Sequence, residues 1–306
     1  AQVGRPKMSL PWLPSLARHH ARALQFRPLV AGARCRAALA RLGAEGDARG
    51  RVQGKVALVT GGAQGIGRAI CGALAGEGAT VVVADVNGKG AREAASAIPR
   101  GWAVEVDVSD HEQVASMFRE ARDALGRVDI VVNNAAVVSP QVPTAELSLD
   151  QYHAVIDVNL HGAFYVLRAA LKQMTSQEPK GGVVLNMTSI VAHTAITGVA
   201  AYTAAKSALL GLTRSCAVEY ASSGVRVVAL TPCAVRTPML EEWLETAPDM
   251  AEQHMRMNPI HGLPDPEDVA KAALYLCSDE ARWVSGSALK VDGAYLAGGV
   301  DPHTRG

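Results

Sequence analysis

A single α/β domain built on a doubly wound parallel sheet is what this chain predicts, and three observations predict it. Short apolar runs alternate with amphipathic stretches from about residue 55 to residue 292, the pattern of a sheet covered by helices on both faces. The runs are nearly continuous in Val, Leu, Ile and Ala, as strands buried on both faces are. Glycine is abundant, 29 residues in 306, which suits the many tight turns of such a winding, and a hydrophobic content of 49% suffices for two core layers.

Lys55-Val-Ala-Leu-Val-Thr60 reads as the first buried strand, followed by the turn Thr60-Gly-Gly-Ala-Gln-Gly-Ile-Gly67 and the helix-periodic Arg68-Ala-Ile-Cys-Gly-Ala-Leu-Ala75. Strand, glycine turn and helix in this order form the context of a dinucleotide-binding unit, so the sheet is expected to be Rossmann-type. Gly61 allows the tight turn, Gly65 leaves room for a pyrophosphate beside the backbone, and Gly67 lets the helix pack close to the sheet. The N–H groups at the helix start then face the phosphates. The spacing is Gly-x-x-x-Gly-x-Gly, and for this segment alone a plain βα turn is the alternative. The next strand, Thr80-Val-Val-Val-Ala-Asp85, ends in a carboxylate about twenty residues on, placed to bond ribose hydroxyls and repel a 2′-phosphate. Neither Gly62-Ala63-Gln64 nor Val86-Asn87 offers a cation for that phosphate, and Arg68 and Lys89 read as solvated helix charges. NAD(H) is therefore expected over NADP(H), the alternative for Asp85 being an exposed strand-end acid.

Further strands are expected near 102–107, 128–132, 182–188, 225–231 and 287–292. Ser109-Asp-His-Glu112 and Ser148-Leu-Asp-Gln151 read as capping boxes, and Asp265 as an N-cap with Pro266 at the first helical position. A helix near 150–174 carries Asn159 midway, and one near 201–221 carries Tyr202 and Lys206 on one face, a turn apart. A phenol titrates near ~10 and is a poor acid or base at neutral pH. A nearby ammonium favours the phenolate, and a tyrosine so tuned can exchange a proton with an alcohol or carbonyl. Ser189 closes the apolar run Gly182-Val-Val-Leu-Asn-Met-Thr-Ser189, thirteen positions before Tyr202. Alone, Tyr-x-x-x-Lys is an exposed helix pair; with that serine and the glycine turn it becomes a catalytic constellation.

On these motifs, residues from about Gln53 to Gly298 resemble the short-chain dehydrogenase/reductase family. Thr60 to Gly67 matches its cofactor turn, Asp107-Val108 its adenine-contacting pair, and Asn133-Asn-Ala-Ala136 its Asn-Asn-Ala-Gly with Ala136 for the glycine. Asn159, Ser189, Tyr202 and Lys206 align with its catalytic tetrad. Thr231-Pro232, Val235 and Thr237 fall where the family grips the nicotinamide, and Gly286 to Gly293 resembles its last strand. The resemblance implies that NAD is bound by Gly61, Gln64, Gly65, Ile66, Gly67, Asp85, Asp107, Val108, Asn134, Ala135, Ala136, Tyr202, Lys206, Pro232, Val235 and Thr237. It implies that Tyr202 as phenolate removes the substrate hydroxyl proton while Lys206 lowers the Tyr202 pKa and bonds the nicotinamide ribose. Ser189 would bond the substrate oxygen and Asn159 would hold a water linking Lys206 to solvent; taken singly, a strand-end hydroxyl and a packing amide are the alternatives. Cys233 puts a Cβ where the family has a glycine free to take positive φ, and Ala136 adds a methyl beside the cofactor channel.

The expected activity is interconversion of a hydrophobic secondary alcohol, cyclic ones included, and its ketone by hydride transfer with NAD(H). The stretch from Pro238 to Pro264 holds Met239, Leu240, Trp243, Leu244, Met250, Met255 and Met257 and reads as a substrate lid or, equally, as two packed helices. One alternative is an NADPH-dependent 3-oxoacyl-thioester reductase, disfavoured by Asp85 and by the lack of a basic residue in Asn258 to Glu267. Another is a non-catalytic NAD-binding regulator, disfavoured by the complete tetrad. His153, His161 and His193 lack metal-ligand partners at useful spacing, so no metal is expected, though His193 lies close enough to Ser189 to reach the substrate mouth.

A net charge of +1 makes no case for nucleic acid, and charges break the apolar runs short of a membrane span. Cys35, Cys71, Cys216, Cys233 and Cys277 form no Cys-x-x-Cys pair and read as reduced, suiting a cytoplasmic protein. Arg5, Arg18, Arg22, Arg27, Arg34, Arg36 and Arg41 precede the first acid, Glu45. Residues 1–52 are thus a basic leader like a mitochondrial presequence, which would place the protein in the matrix, or else a product of upstream translation with Met8 as the internal start. The catalytic domain is expected over 53–298 with a tail at 299–306. The resemblance implies a homodimer or homotetramer paired through the Tyr–Lys helix and the one before it.

Overall fold

The computed structural model describes residues 50–138, 141–238, 240–241, 259–260 and 262–298. Seven strands form one sheet: β1 (Val56–Thr60), β2 (Thr80–Asp85), β3 (Gly101–Glu105), β4 (Ile130–Asn133), β5 (Gly182–Met187), β6 (Val225–Pro232) and β7 (Ala288–Val291). All pairings are parallel, in the order β3-β2-β1-β4-β5-β6-β7. Helices α1 (Gly65–Gly76), α2 (Gly88–Ser96) and α6 (Pro266–Cys277) cover one face, and α3 (His111–Leu125), α4 (Leu149–Ser176) and α5 (Ala200–Tyr220) the other. Within β2, Val81 and Val83 face the first layer with Ile70 and Leu74, while Val82 and Ala84 face the second with Met117 and Leu167. Burial on both sides is why the strands read as unbroken apolar runs. Strand order reverses between β1 and β4, which opens a crevice at the strands' carboxyl ends.

Local chemistry shifts some expected boundaries. β3 stops at Glu105, two residues short of Asp107, because the Asp107 amide is taken by Gln113 Oε1 at 3.1 Å. The cap of α3 is Asp110, not Ser109: Asp110 accepts from the Glu112 and Gln113 amides, while the Ser109 hydroxyl turns back to Asp107 Oδ1 at 2.7 Å. The box Ser148/Gln151 opens α4 as expected, and Pro266 follows Asp265 into α6, with Asp268 accepting from the Asp265 amide.

α4 is interrupted by a π turn over Asp157–Gly162. There Gly162 lies against β3's continuation, since a Cβ on it would sit 2.9 Å from Val108 Cγ2. α4 is long and apolar enough to cross a membrane, but Val166, Leu167, Ala170, Leu171 and Met174 are buried against the sheet layer.

The body of the domain begins before the expected boundary at residue 53. Val52 is buried in the first core layer, its amide bonded to Glu77 O at 3.2 Å, and Arg51 gives two 2.7 Å bonds to the Glu280 carboxylate. Leader residues 1–49, the tail 299–306 and the lid residues Met239, Trp243, Leu244, Met250, Met255 and Met257 lie outside the described residues.

Candidate active site

The crevice over β1, β2, β4, β5 and β6 holds a cavity of about 580 Å³. Its wall includes all sixteen residues expected to touch the cofactor, together with Ser189. Asn159 is the one expected site residue outside that wall.

At the glycine turn, Gly61 and Gly65 take φ of +65° and +53°, a region costly to any residue with a Cβ. Gly67 is required for a different reason from the expected one. A Cβ there would lie 2.0 Å from the Gly61 carbonyl oxygen, so the turn itself, rather than the sheet, claims the space. Asn134 holds this turn: its carboxamide donates to the Thr60 and Gly61 carbonyls at 3.0 and 3.1 Å. Thr60 Oγ1 in return accepts the Asn134 and Ala135 amides. α1 starts at Gln64 with no side-chain cap and no acid in its first turn, so its positive end meets no carboxylate of its own helix. That donor set, bordered by positive-φ glycines, fits an anionic diphosphate. Asp85 Oδ2 accepts from the Ala63 amide at 3.0 Å and Oδ1 from the Asn87 amide at 2.9 Å, which aims the carboxylate and leaves each oxygen further acceptor capacity. Asp107 Oδ1 is held by the Ser109 amide and hydroxyl.

At the other end, Ser189 leaves β5 and caps a 3₁₀ turn, its hydroxyl accepting the Val191 amide at 3.4 Å and lying close enough to the Tyr202 phenol to lower its pKa. Tyr202 stands in the first turn of α5 and Lys206 one turn on, with Nζ 5.5 Å from the Tyr202 ring centroid. Burial pushes the Tyr202 phenol up to about 12, opposed by the Ser189 hydrogen bond. Burial lowers the Lys206 ammonium to about 8, and its Nζ donates to the Met187 carbonyl at 2.9 Å. Enclosure of the ring thus acts on the phenol in the direction opposite to the lowering expected from Lys206.

Asn159 Oδ1 accepts from the Val137 amide and its Nδ2 donates to the Val137 carbonyl, both at 2.9 Å, so the carboxamide grips a strand-end loop with half of its hydrogen-bonding capacity. His193 is exposed, with Nε2 3.4 Å from Thr231 Oγ1, and is not part of the cavity wall. Cys233 is buried in that wall without a positive φ, since Arg100 and Ala294 are the non-glycine residues that take one among those described. Among the described residues, Cys71, Cys216, Cys233 and Cys277 form no disulfide with one another. Among the described residues no cluster of three His, Cys, Asp or Glu side chains is placed to hold a metal ion.

Sequence reasoning missed Gln141, Ile196 and Val199, which also line the cavity. They sit in loops between the motifs, where residue type carries no period; their nearness to Asn134 and Tyr202 in the chain was the available signal.

Residues 61–295 match a family model described as enoyl-(acyl carrier protein) reductase. The chain is 36% identical over 248 residues to the 2,5-dichloro-2,5-cyclohexadiene-1,4-diol dehydrogenase of Sphingobium indicum, covering 80% of this chain and 98% of that protein. It is 37% identical over 247 residues to the cis-4-hydroxycyclohexanecarboxylate dehydrogenase of Sinomonas cyclohexanicum, covering 79% and 97%. Its fold matches the crystal structure of 3-ketoacyl-(acyl-carrier-protein) reductase from Brucella melitensis complexed with NADH at a TM-score of 0.75, with 31% identity over 80% of this chain and 99% of that one.

Proposed function

The chain belongs to the short-chain dehydrogenase/reductase family of oxidoreductases, and from that premise we propose that it interconverts a cyclic secondary alcohol and its ketone with NAD(H). One observation carries the proposal. Ser189, Tyr202 and Lys206 line one cavity with the glycine turn and Asp85, Lys206 Nζ standing 5.5 Å from the Tyr202 ring centroid. The relatives named for a cyclohexadienediol and a hydroxycyclohexanecarboxylate support a ring alcohol, as does a wall that beyond the catalytic groups includes Val138, Val191, Ile196, Val199 and Leu240.

The α1 turn and Asp85 would hold NAD, which when bound would supply the hydride acceptor. Ser189 donates a hydrogen bond to the alcohol oxygen and orients it. Tyr202 takes the hydroxyl proton as the carbinol carbon is oxidised, and returns it in the reductive direction. Lys206 in its ammonium form favours the phenolate against the burial that opposes it. Asn159 acts through Val137, whose backbone it fixes at the cavity wall. A carboxylate at Asp85 disfavours a 2′-phosphate and with it the NADPH-dependent thioester reductase.

The test is turnover by the purified chain of cyclohexanol, a cyclohexanediol and a 3-hydroxyacyl thioester, each with NAD and with NADP. Ring alcohols with NAD should give the highest kcat/KM. Faster turnover of the thioester, or with NADP, would remove the reading.

A further inference from the structure

Two loops at the cavity are tied to each other, and neither belongs to the lid. Gln141 and Val142 lie on the connection after β4; Thr197 and Gly198 lie just before α5. The Val142 amide donates to the Gly198 carbonyl at 3.1 Å, and Gln141 Nε2 donates to the Thr197 carbonyl at 3.2 Å. Gly198 takes φ of +84°, and a Cβ there would lie 2.8 Å from Gln141 Cγ and 3.2 Å from the Val142 amide nitrogen. The clasp therefore needs glycine twice, for backbone conformation and for close approach.

Both loops supply cavity wall: Val137, Val138 and Gln141 from one, Ile196 and Val199 from the other. Their roots are fixed on the catalytic groups. Asn159 grips Val137 at both polar ends of its backbone, and Val199 immediately precedes the helix that presents Tyr202. With roots held and the outer ends hydrogen-bonded together, the distance between the two apolar walls has little freedom to grow.

We propose that the Gln141–Gly198 clasp is a specificity-determining element that limits how large a ring can reach Ser189 and Tyr202. This rests on the ring-alcohol reading above. Gln141 and Gly198 act as positioning residues: they set the width of the alcohol subsite without touching the transferred proton. Loosening the clasp should weaken the grip on a small ring, admit a larger one, and leave the cofactor end alone, because the α1 turn and Asp85 lie on other elements.

The experiment compares the unmodified chain with Gly198→Ala and Gln141→Ala. For each, kcat and KM are measured with cyclohexanol and with the fused two-ring alcohol decahydro-2-naphthol at saturating NAD, and Kd for NAD by fluorescence titration. Gly198→Ala should raise KM for cyclohexanol about tenfold with kcat within about twofold, the size of effect a mis-spaced apolar subsite produces. The two-ring to one-ring ratio of kcat/KM should rise, and NAD affinity should hold. Gln141→Ala, which removes the bond to the Thr197 carbonyl and adds no backbone strain, should move the ratio the same way by about threefold. It carries the test if Gly198→Ala fails to fold. An unmodified chain that oxidises neither alcohol overturns the ring-alcohol reading and the clasp's role with it. An active unmodified chain whose ratio stays put in the variants, or whose kcat falls with KM unchanged, overturns the clasp alone.

Discussion

Lys206 passes the ring of Tyr202 at 5.5 Å from its centroid and gives its Nζ to the carbonyl of Met187 at 2.9 Å, where β5 ends. Helix α5 and strand β5 thus meet through a buried cation. Burial opposes the charged form of both side chains, holding the phenol near about 12 and the amine near about 8. Two titratable groups so perturbed by burial in one cavity are a mark of a functional site.

Replacing Tyr202 by Phe keeps the ring and removes the proton carrier. Turnover should fall by roughly a thousandfold, within the range for loss of a general acid/base. NAD affinity, read by fluorescence titration, should stay within about twofold of the original, because the glycine turn and Asp85 are untouched. Turnover that persists in the Phe variant would place the acid–base group elsewhere.

Asp85→Ala should erode the preference for NAD over NADP by at least about tenfold in kcat/KM, the weight of a charge-assisted hydrogen bond. It should also cost stability, on the order of 1 kcal/mol, since the Ala63 and Asn87 amides lose their acceptor. Asp85→Asn drops the repulsive charge while its single carbonyl oxygen still accepts from one of the two amides, so its cofactor ratio should shift as in the Ala variant at a smaller cost in stability. An unaltered cofactor ratio in both variants would remove Asp85 from cofactor choice.

Lys206→Met should stabilise the fold while abolishing turnover. The amine's folded pKa, about 8, lies below its ordinary 10.5, so between these values the unfolded chain binds more protons and stability rises with pH. Below pH 8 the penalty is present in full. The variant's gain, on the order of 1–3 kcal/mol, should therefore be largest near pH 7 and shrink from pH 8 to 10.5. Urea midpoints at three pH values measure it, and a pH-independent difference would contradict the assignment.

A chain beginning at Gly50 should fold and turn over as the full chain does. One beginning at Gln53 should lose about 1.5–3 kcal/mol with the buried Val52 side chain. Light scattering on the longer form should report a dimer or tetramer, since Phe164 on α4 and Val218 on α5 are 43% and 82% exposed. Equal stability of the two truncations would restore the boundary at residue 53, and a strictly monomeric active species would rule out the assembly.

What the sequence by itself determined is what local periodicity encodes. Continuous apolar runs implied strands buried on both faces, the Gly61–Gly67 spacing implied the turn, and a four-residue interval put Tyr202 and Lys206 on one face of a helix. Asp85 at a strand end followed from strand length alone. Only the tertiary structure decided where Asn159 points, because Val137, whose backbone its carboxamide bonds, is 22 residues away in the chain. The same holds for Gly67, whose missing Cβ is demanded by a carbonyl of the preceding turn, and for the clasp of Gln141 to Thr197 across 56 residues. The phenol's rise to about 12 is tertiary as well. Spacing shows that a lysine is near, whereas the balance between its charge and desolvation depends on everything packed around the ring.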